Sequence, residues 1–247
     1  MAKRIVITGA SKGIGAELAR ELAAAGHLLV LNARHEDDLV AVARQVGGGA
    51  RAVVGDMTHR AHAERLRDDA LRLLGYVDVW INNVGRGINR HVLDLTDDDV
   101  DLMVAVNVKS ALYGMQAIMP HFMERGEGHL INVSTFLSRL PVATYRSAYS
   151  GAKAMLNTLT ENLRMDVRET HPGIRVSLVL PGLVSTEFAK HALGGTPKGG
   201  LVSAAPAQSA PDVARQVAAL IRKPEDERYT DPVLAALVEE RFQHTHT

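Results

Sequence analysis

The feature that most constrains the fold is a recurrence of short apolar runs that do not alternate with polar residues, at 5–8, 28–31, 52–54, 77–81, 130–133 and 176–180. A strand with one wet face alternates, whereas a continuous run of branched residues suits a strand covered on both faces, as in a parallel sheet. Between the runs lie longer stretches with helical spacing, at 16–25, 38–46, 62–74, 98–123 and 148–169. Strand followed by helix, repeated, predicts an α/β architecture: a doubly wound parallel sheet flanked by helices in three layers, as a single domain over 1–247. A chain of 247 residues buries enough surface to fold without a disulfide or metal staple.

Local chemistry marks the helix ends. Thr96 followed by Asp97, Asp98 and Asp99 reads as a cap with negative charge at a helix start, where unpaired N–H groups favour both, rather than as a metal site. Pro172-Gly173 stops the helix before 174–180, and a further helix is expected from Ala210-Pro211-Asp212 to about Ile221. Asp231-Pro232 predicts a last helix through about Phe242, followed by a frayed tail at 244–247. The segment 186–211, rich in glycine and proline, is too long for a connector and is expected to be a substrate lid, the alternative being a surface excursion.

Composition narrows the partners. Lys plus Arg and Asp plus Glu are equal at 28 each, so neither nucleic acid nor an anionic membrane is an expected partner. The apolar run after Lys3-Arg4 is too short for a signal-peptide core, and no run of about 18 apolar residues suggests a membrane span. Cysteine is absent, which excludes thiolate chemistry and suits a cytoplasmic location. His59 and His62 could share a helix face, but no carboxylate supports them and no metal is expected.

The first strand and first helix are joined by Thr8-Gly9-Ala10-Ser11-Lys12-Gly13-Ile14-Gly15. Glycines at such a junction permit a tight turn, close approach of backbone to a pyrophosphate and close helix–strand packing, while the helix N-terminus faces the phosphates. Gly9, Ser11, Lys12, Gly13, Ile14 and Gly15 are therefore candidate dinucleotide-binding residues, although a purely structural turn would use glycine too. Gly9 to Gly13 also fits the Gly-x-Ser-x-Gly nucleophile elbow, but an elbow on the first strand has no upstream strand and loop to complete an oxyanion hole. The run 28–31 is followed by Asn32-Ala33-Arg34-His35, with no acid until Glu36. A carboxylate there would bind a ribose 2′-hydroxyl, whereas an arginine accommodates a 2′-phosphate, so Arg34 with Lys12 favours NADP(H) over NAD(H). A solvated surface role for Arg34 is the alternative.

Tyr149 and Lys153, four residues apart near a predicted helix start, lie on one face of that helix. A fixed positive charge lowers the pKa of a nearby phenol and fits it to exchange protons with a carbonyl or alcohol oxygen. Alone, this spacing is common on exposed helices.

Glycine loop and Tyr-Lys pair together resemble the short-chain dehydrogenase/reductase family, and further landmarks follow in that family's order over about 4–190 and again after Pro211. The resemblance implies a Rossmann-like fold, a nicotinamide cofactor and a small-molecule carbonyl or alcohol substrate. By it, Asp56 and Met57 contact the adenine, Asn83, Val84 and Gly85 lie beside the cofactor, and Pro181, Gly182, Val184 and Thr186 hold the carboxamide. Tyr149 is the general acid/base, Lys153 also holds the nicotinamide ribose, and Asn107 anchors a water. The family's serine position, counted from the tyrosine, falls on Phe136; counted from the strand it falls on Thr135, with Ser134 as the fallback. A homodimer or homotetramer is implied, built on the helices at 98–123 and 148–169. A 3-oxoacyl carrier-protein reductase and a non-catalytic, NADP-binding redox sensor are the alternatives; the 228–232 segment, which leads into a helix rather than the Val-Asp-Gly-Gly stretch of such reductases, counts against the former.

Overall fold

Strand and helix alternate as the apolar pattern requires. The computed structural model describes residues 1–195 and 206–244. The chain opens with β1 (Arg4–Thr8), α1 (Gly13–Ala24), β2 (Leu28–Ala33), α2 (Glu36–Val46), β3 (Arg51–Val54), α3 (Arg60–Leu74) and β4 (Val79–Asn82). Next come α4 (Asp97–Val104) and α5 (Ser110–Arg125), joined without a break by a π-helical turn over Ala105–Lys109, then β5 (Gly128–Val133), α6 (Ser147–Arg168) and β6 (Ile174–Leu180). A two-stranded pair, β7 (Val184–Ser185) and β8 (Gln208–Ser209), precedes α7 (Ala210–Arg222), β9 (Glu227–Tyr229) and α8 (Pro232–His244).

Seven parallel strands form the main sheet in the order β3-β2-β1-β4-β5-β6-β9. Within β1 the side chains divide the two cores. Ile5 and Ile7 pack with Leu18, Leu22, Leu39 and Val217 on the side covered by α1, α2 and α7. Val6 packs on the other side with Leu66, Met115, Phe122 and Leu156, from α3, α5 and α6. Both faces are dry, so the strands read as unbroken apolar runs.

The helix caps follow the sequence. Thr96 and Asp99 form a reciprocal capping box at α4, Ser209 accepts from Asp212 N–H at α7, and Asp231 Oδ1 accepts from Val233 N–H at 2.9 Å at the start of α8. The structure adds β9 and the β7–β8 pair to the expected strands. β9 pairs only with β6 and its Glu227-Arg228-Tyr229 side chains are half-buried and polar or aromatic, so it leaves no run of branched apolar residues. The continuous helix over 97–125 also corrects the expectation that no segment matches a membrane span: it is long and apolar enough by length and composition, with 61% of its apolar window buried inside the fold. Of the expected 186–211 lid, 196–205 lie outside the described residues, as do 245–247 of the expected tail.

One buried titratable group couples this core to pH. His129, in β5, is 6% exposed, its Nε2 lies 2.8 Å from Ser177 Oγ, and burial with the nearby Arg175 charge pushes its pKa down to about 4. The unfolded chain takes up this proton near 6.5, the folded chain only near 4, so between those values the unfolded state binds more protons and stability falls as pH drops. Denaturant titrations are expected to show about 3 kcal/mol of stability lost across that window, flattened in His129→Gln.

Candidate active site

The sheet order turns between β1 and β4, where connections leave in opposite directions and open a crevice at the strands' carboxyl ends. A cleft of about 710 Å³ occupies this crevice and runs from Asn32, Arg34 and Met57 at one end to Thr135, Tyr149 and Phe188 at the other.

The glycine loop forms its floor. Gly9 and Gly13 have φ of 64° and 55°, in the left-handed region that only glycine enters without strain. Gly15 does not line the cleft. It sits behind the loop, where a Cβ would collide with the Gly9 carbonyl oxygen and come within 2.6 Å of Asn83 Nδ2. Lys12 precedes α1 without a side-chain cap, and the first turn carries no acid, so the positive helix end is open to an anion. Gly9, Ser11, Lys12, Gly13 and Ile14 all line the cleft, with Asn83, Val84 and Gly85 opposite.

At the far end the expected cations are present and paired. Lys12 Nζ lies 3.0 Å from Asp38 Oδ2, and Arg34 Nη1 lies 3.8 Å from Asp56 Oδ2. Both cations are more than half exposed, so these pairs contribute little and exchange readily. Burial alone would raise the Asp56 carboxyl, but hydrogen bonds from the Thr58 N–H and hydroxyl, with Arg34 beside it, outweigh that and hold it below its ordinary value. Asn32, which the sequence did not single out, donates its amide to the Val53 and Gly55 carbonyls and leaves a buried Oδ1 without a partner.

At the near end α6 carries Tyr149 and Lys153 onto one face, both buried. The Thr135 side chain stands beside the Tyr149 phenol and acts on it, whereas Ser134 donates its hydroxyl to Asn157 Oδ1 at 2.6 Å, turned to a buried polar cluster. Lys153 Nζ donates to the Val133 carbonyl at 2.9 Å. Burial pushes the phenol up to about 12, with the Thr135 hydroxyl and the Arg146 charge acting against it, and pushes the Lys153 amine down to about 7. Arg146, which the sequence had not singled out, thus acts on the phenol as well. Burial works against the charged form of both groups.

Asn107 lies in the π-helical turn and is fully buried. Its Oδ1 accepts from Arg86 N–H at 3.1 Å and its Nδ2 donates to the Arg86 carbonyl at 3.0 Å, clamping that backbone unit next to Gly85. The structure therefore places Asn107 behind the cleft wall rather than on it. Pro181, Gly182, Val184 and Thr186 line the cleft with Asp56 and Met57, as does 187–192 of the expected lid segment. That segment is tied back by Leu193 N–H to the Gly87 carbonyl at 3.0 Å, and it sets the Phe188 ring 5.5 Å from that of Tyr149. Phe188 and Arg146 reach the site through contacts distant in sequence, which no local pattern announces. Among the described residues no group of three or more His, Asp or Glu could hold a metal ion.

A family model described as short chain dehydrogenase matches residues 3–194. An uncharacterized oxidoreductase of Staphylococcus aureus is 34% identical over 185 residues, spanning 74% of this chain and 79% of the relative. Among solved structures, a short chain dehydrogenase/reductase from Burkholderia phymatum in complex with NAD superposes with a TM-score of 0.89 at 24% identity, covering 99% of this chain and 94% of that one. A metagenomic short-chain oxidoreductase in complex with NADP gives 0.77 at 29% identity, covering 93% and 97%.

Because Gly15 has no room for a methyl group, Gly15→Ala is expected to shift the loop and cost about 1–3 kcal/mol of stability. Dinucleotide affinity should fall at least tenfold. Thermal melting with and without dinucleotide measures both.

Proposed function

The chain belongs to the short chain dehydrogenase family, and on that premise we propose that it is an NADP(H)-dependent oxidoreductase transferring a hydride between the nicotinamide and a carbonyl or secondary-alcohol carbon, with Tyr149 as general acid/base. The observation that carries this reading is the placing of the Tyr149 phenol beside Thr135 in a cleft floored by an uncapped helix start and a glycine loop. The residues present fit a dinucleotide. Gly15 lets the loop lie flat against Asn83, the α1 terminus offers donors to a pyrophosphate, and the orphaned Asn32 Oδ1 offers an acceptor at the adenine end.

Gly9, Ser11, Gly13 and Ile14 would hold the pyrophosphate, Asp56, Met57 and Val84 the adenine side, and Pro181, Gly182, Val184 and Thr186 the carboxamide. The bound nicotinamide supplies or accepts the hydride. Thr135 holds the substrate oxygen by its hydroxyl, and Tyr149 gives that oxygen its proton during reduction. A phenol pushed up by burial is protonated at neutral pH, the form reduction needs; alcohol oxidation needs the phenolate and should rise as the medium becomes alkaline. Lys153, poised near 7, can carry a proton between the phenol's surroundings and solvent and hold the ribose hydroxyls. Asn107 fixes the Arg86 backbone and with it the Gly85 wall over Lys153.

The NADP(H) preference rests on Lys12 and Arg34. Their carboxylate partners are half-exposed surface groups, and a 2′-phosphate, with more acceptor oxygens, replaces them at little cost. The segment from 186 serves as a substrate lid. Exposed Met155 and Met165 on α6 and Val100 on α4 support pairing of chains through these helices into a homodimer or homotetramer, and the absence of cysteine suits the cytoplasm.

Tyr149→Phe is expected to lower kcat by about 10²–10⁴-fold with NADPH affinity changed little; retention of most activity across a panel of carbonyl compounds would contradict the role. Arg34→Ala should weaken NADPH at least tenfold more than NADH, read by fluorescence titration of each. Equal losses for the two would remove the 2′-phosphate contact.

A further inference from the structure

Arg146 stands immediately before α6, three residues ahead of Tyr149, and is only 6% exposed. Its side chain lines the cleft beside Tyr149, Phe188 and Ala192. The guanidinium carbon lies 5.7 Å from the Tyr145 ring centroid and 6.0 Å from that of Phe188. Gly87 makes the space for it, since a Cβ there would collide with Arg146 Nη1.

Among the described residues no carboxylate forms an ion pair with this charge. Arg146 Nη1 is buried with no hydrogen-bond partner. Asp99 pairs with Arg90 at 3.2 Å, and Glu187, next to Phe188 in the chain, pairs with Lys190 at 3.1 Å. The first turn of α6 contains no acid. A guanidinium stays charged in a protein, and a buried charge without a counter-ion is strongly unfavourable. Here it sits in the wall of a ligand cleft, next to the hydroxyl that receives the substrate oxygen. Its planar fork matches a carboxylate with two parallel hydrogen bonds, and the apolar company of Phe188 and Ala192 suits a small anion with no further polar groups.

We propose that the substrate carries a carboxylate and that Arg146 binds it, so that the site interconverts an oxo acid and the matching hydroxy acid. This rests on the hydride-transfer reading above. In reduction the carbonyl carbon gains the hydride, its oxygen gains the Tyr149 proton, the reduced dinucleotide is oxidised and the carboxylate passes through unchanged. Arg146 is a specificity residue in this scheme: it neutralises one end of the substrate and holds the other against Tyr149 and Thr135.

The test compares straight-chain 2-oxo, 3-oxo and 4-oxo acids with their methyl esters, using the full chain and NADPH, in the wild type, Arg146→Gln and Arg146→Lys. The expected result is at least a tenfold higher kcat/KM for one acid class over its ester, expressed mainly in KM. That ratio should fall at least tenfold in Arg146→Gln and recover in part in Arg146→Lys. A merely structural arginine would lower acid and ester together; that outcome, or a wild-type ratio of one or less, overturns the proposal. Should Arg146→Gln fail to bind NADPH, Gly87→Ala, which displaces the guanidinium while keeping it, carries the same comparison. If no acid or ester oxidises NADPH, the hydride-transfer reading fails, and the carboxylate site is decided by binding alone. Saturable change of bound NADPH fluorescence by an oxo acid, weakened at least tenfold in Arg146→Gln, supports it; no saturable response to any acid overturns it.

Discussion

The cleft depends on how Asn83 ties the end of β1 to the end of β4. Its Nδ2 donates to the Thr8 and Gly9 carbonyls at 3.3 and 3.1 Å, its N–H donates to Thr8 Oγ1 at 3.1 Å, and that hydroxyl donates in turn to the Ile81 carbonyl at 3.3 Å. These bonds join segments 75 residues apart. Backbone carbonyls at the end of a strand would otherwise be unpaired in a poorly solvated crevice, so the amide both satisfies them and sets the path of the loop. Gly15 then has no choice of side chain, because the space its Cβ would take is filled by the Gly9 carbonyl and Asn83. Loop, helix start and cleft wall follow from that one strap.

A second set of buried polar contacts positions the other half of the site. Trp80 Nε1 donates to Asn82 Oδ1, Asn82 Nδ2 to Asn132 Oδ1, and Asn132 Nδ2 to Thr160 Oγ1, at 2.8 to 2.9 Å. Beside this ladder Ser134 and Ser138 each bond the Asn157 amide. Both sets run from β4 and β5 to α6, and each member is unfavourable if left unpaired, so α6 is held to one rotation and one depth against the sheet. That depth brings Tyr149 to Thr135 and Lys153 Nζ to the Val133 carbonyl. Apolar packing alone would tolerate small slides of the helix; hydrogen bonds of fixed length do not.

These contacts also explain which parts of the molecule the sequence discloses. The five covered strands β1, β2, β4, β5 and β6 and the caps at Thr96 and Asp231 are written in local pattern, because burial on both faces and unpaired N–H groups demand particular residues at particular places. β9 has no such demand, and its Glu227-Arg228-Tyr229 reads as loop. The π-helical turn leaves the apolar spacing of 97–125 nearly unaltered, so Asn107 is legible as a residue and not as a clamp on Arg86. Counting residues could not choose between Ser134 and Thr135; the Asn157 amide, far along α6, draws one hydroxyl away and leaves the other beside the phenol. Asp38 reads as a helix-start acid, and only the fold shows it 3.0 Å from Lys12. Arg146 is the clearest case, for its setting depends on a missing methyl group at Gly87 and on an Nη1 left without a partner among the described residues, neither of which is a local pattern.

Burial divides the cleft into two electrostatic regimes. At the end with Arg34 and Lys12 the cations are exposed, screened and already paired with Asp56 and Asp38, so each pair contributes little and exchanges readily. At the end with Tyr149, Lys153 and Arg146 the side chains are buried, and that burial pushes the phenol up to about 12 and the amine down to about 7. Desolvation therefore keeps that end as neutral as its groups allow, and the guanidinium, which cannot give up its proton, is the charge that remains. An anionic ligand entering this end neutralises it and at the same time removes the positive charge that was holding the phenol's pKa down. A phenol that has lost that support holds its proton more tightly, so an anion bound at Arg146 favours the acid form of Tyr149, which is the form that reduction of a carbonyl consumes.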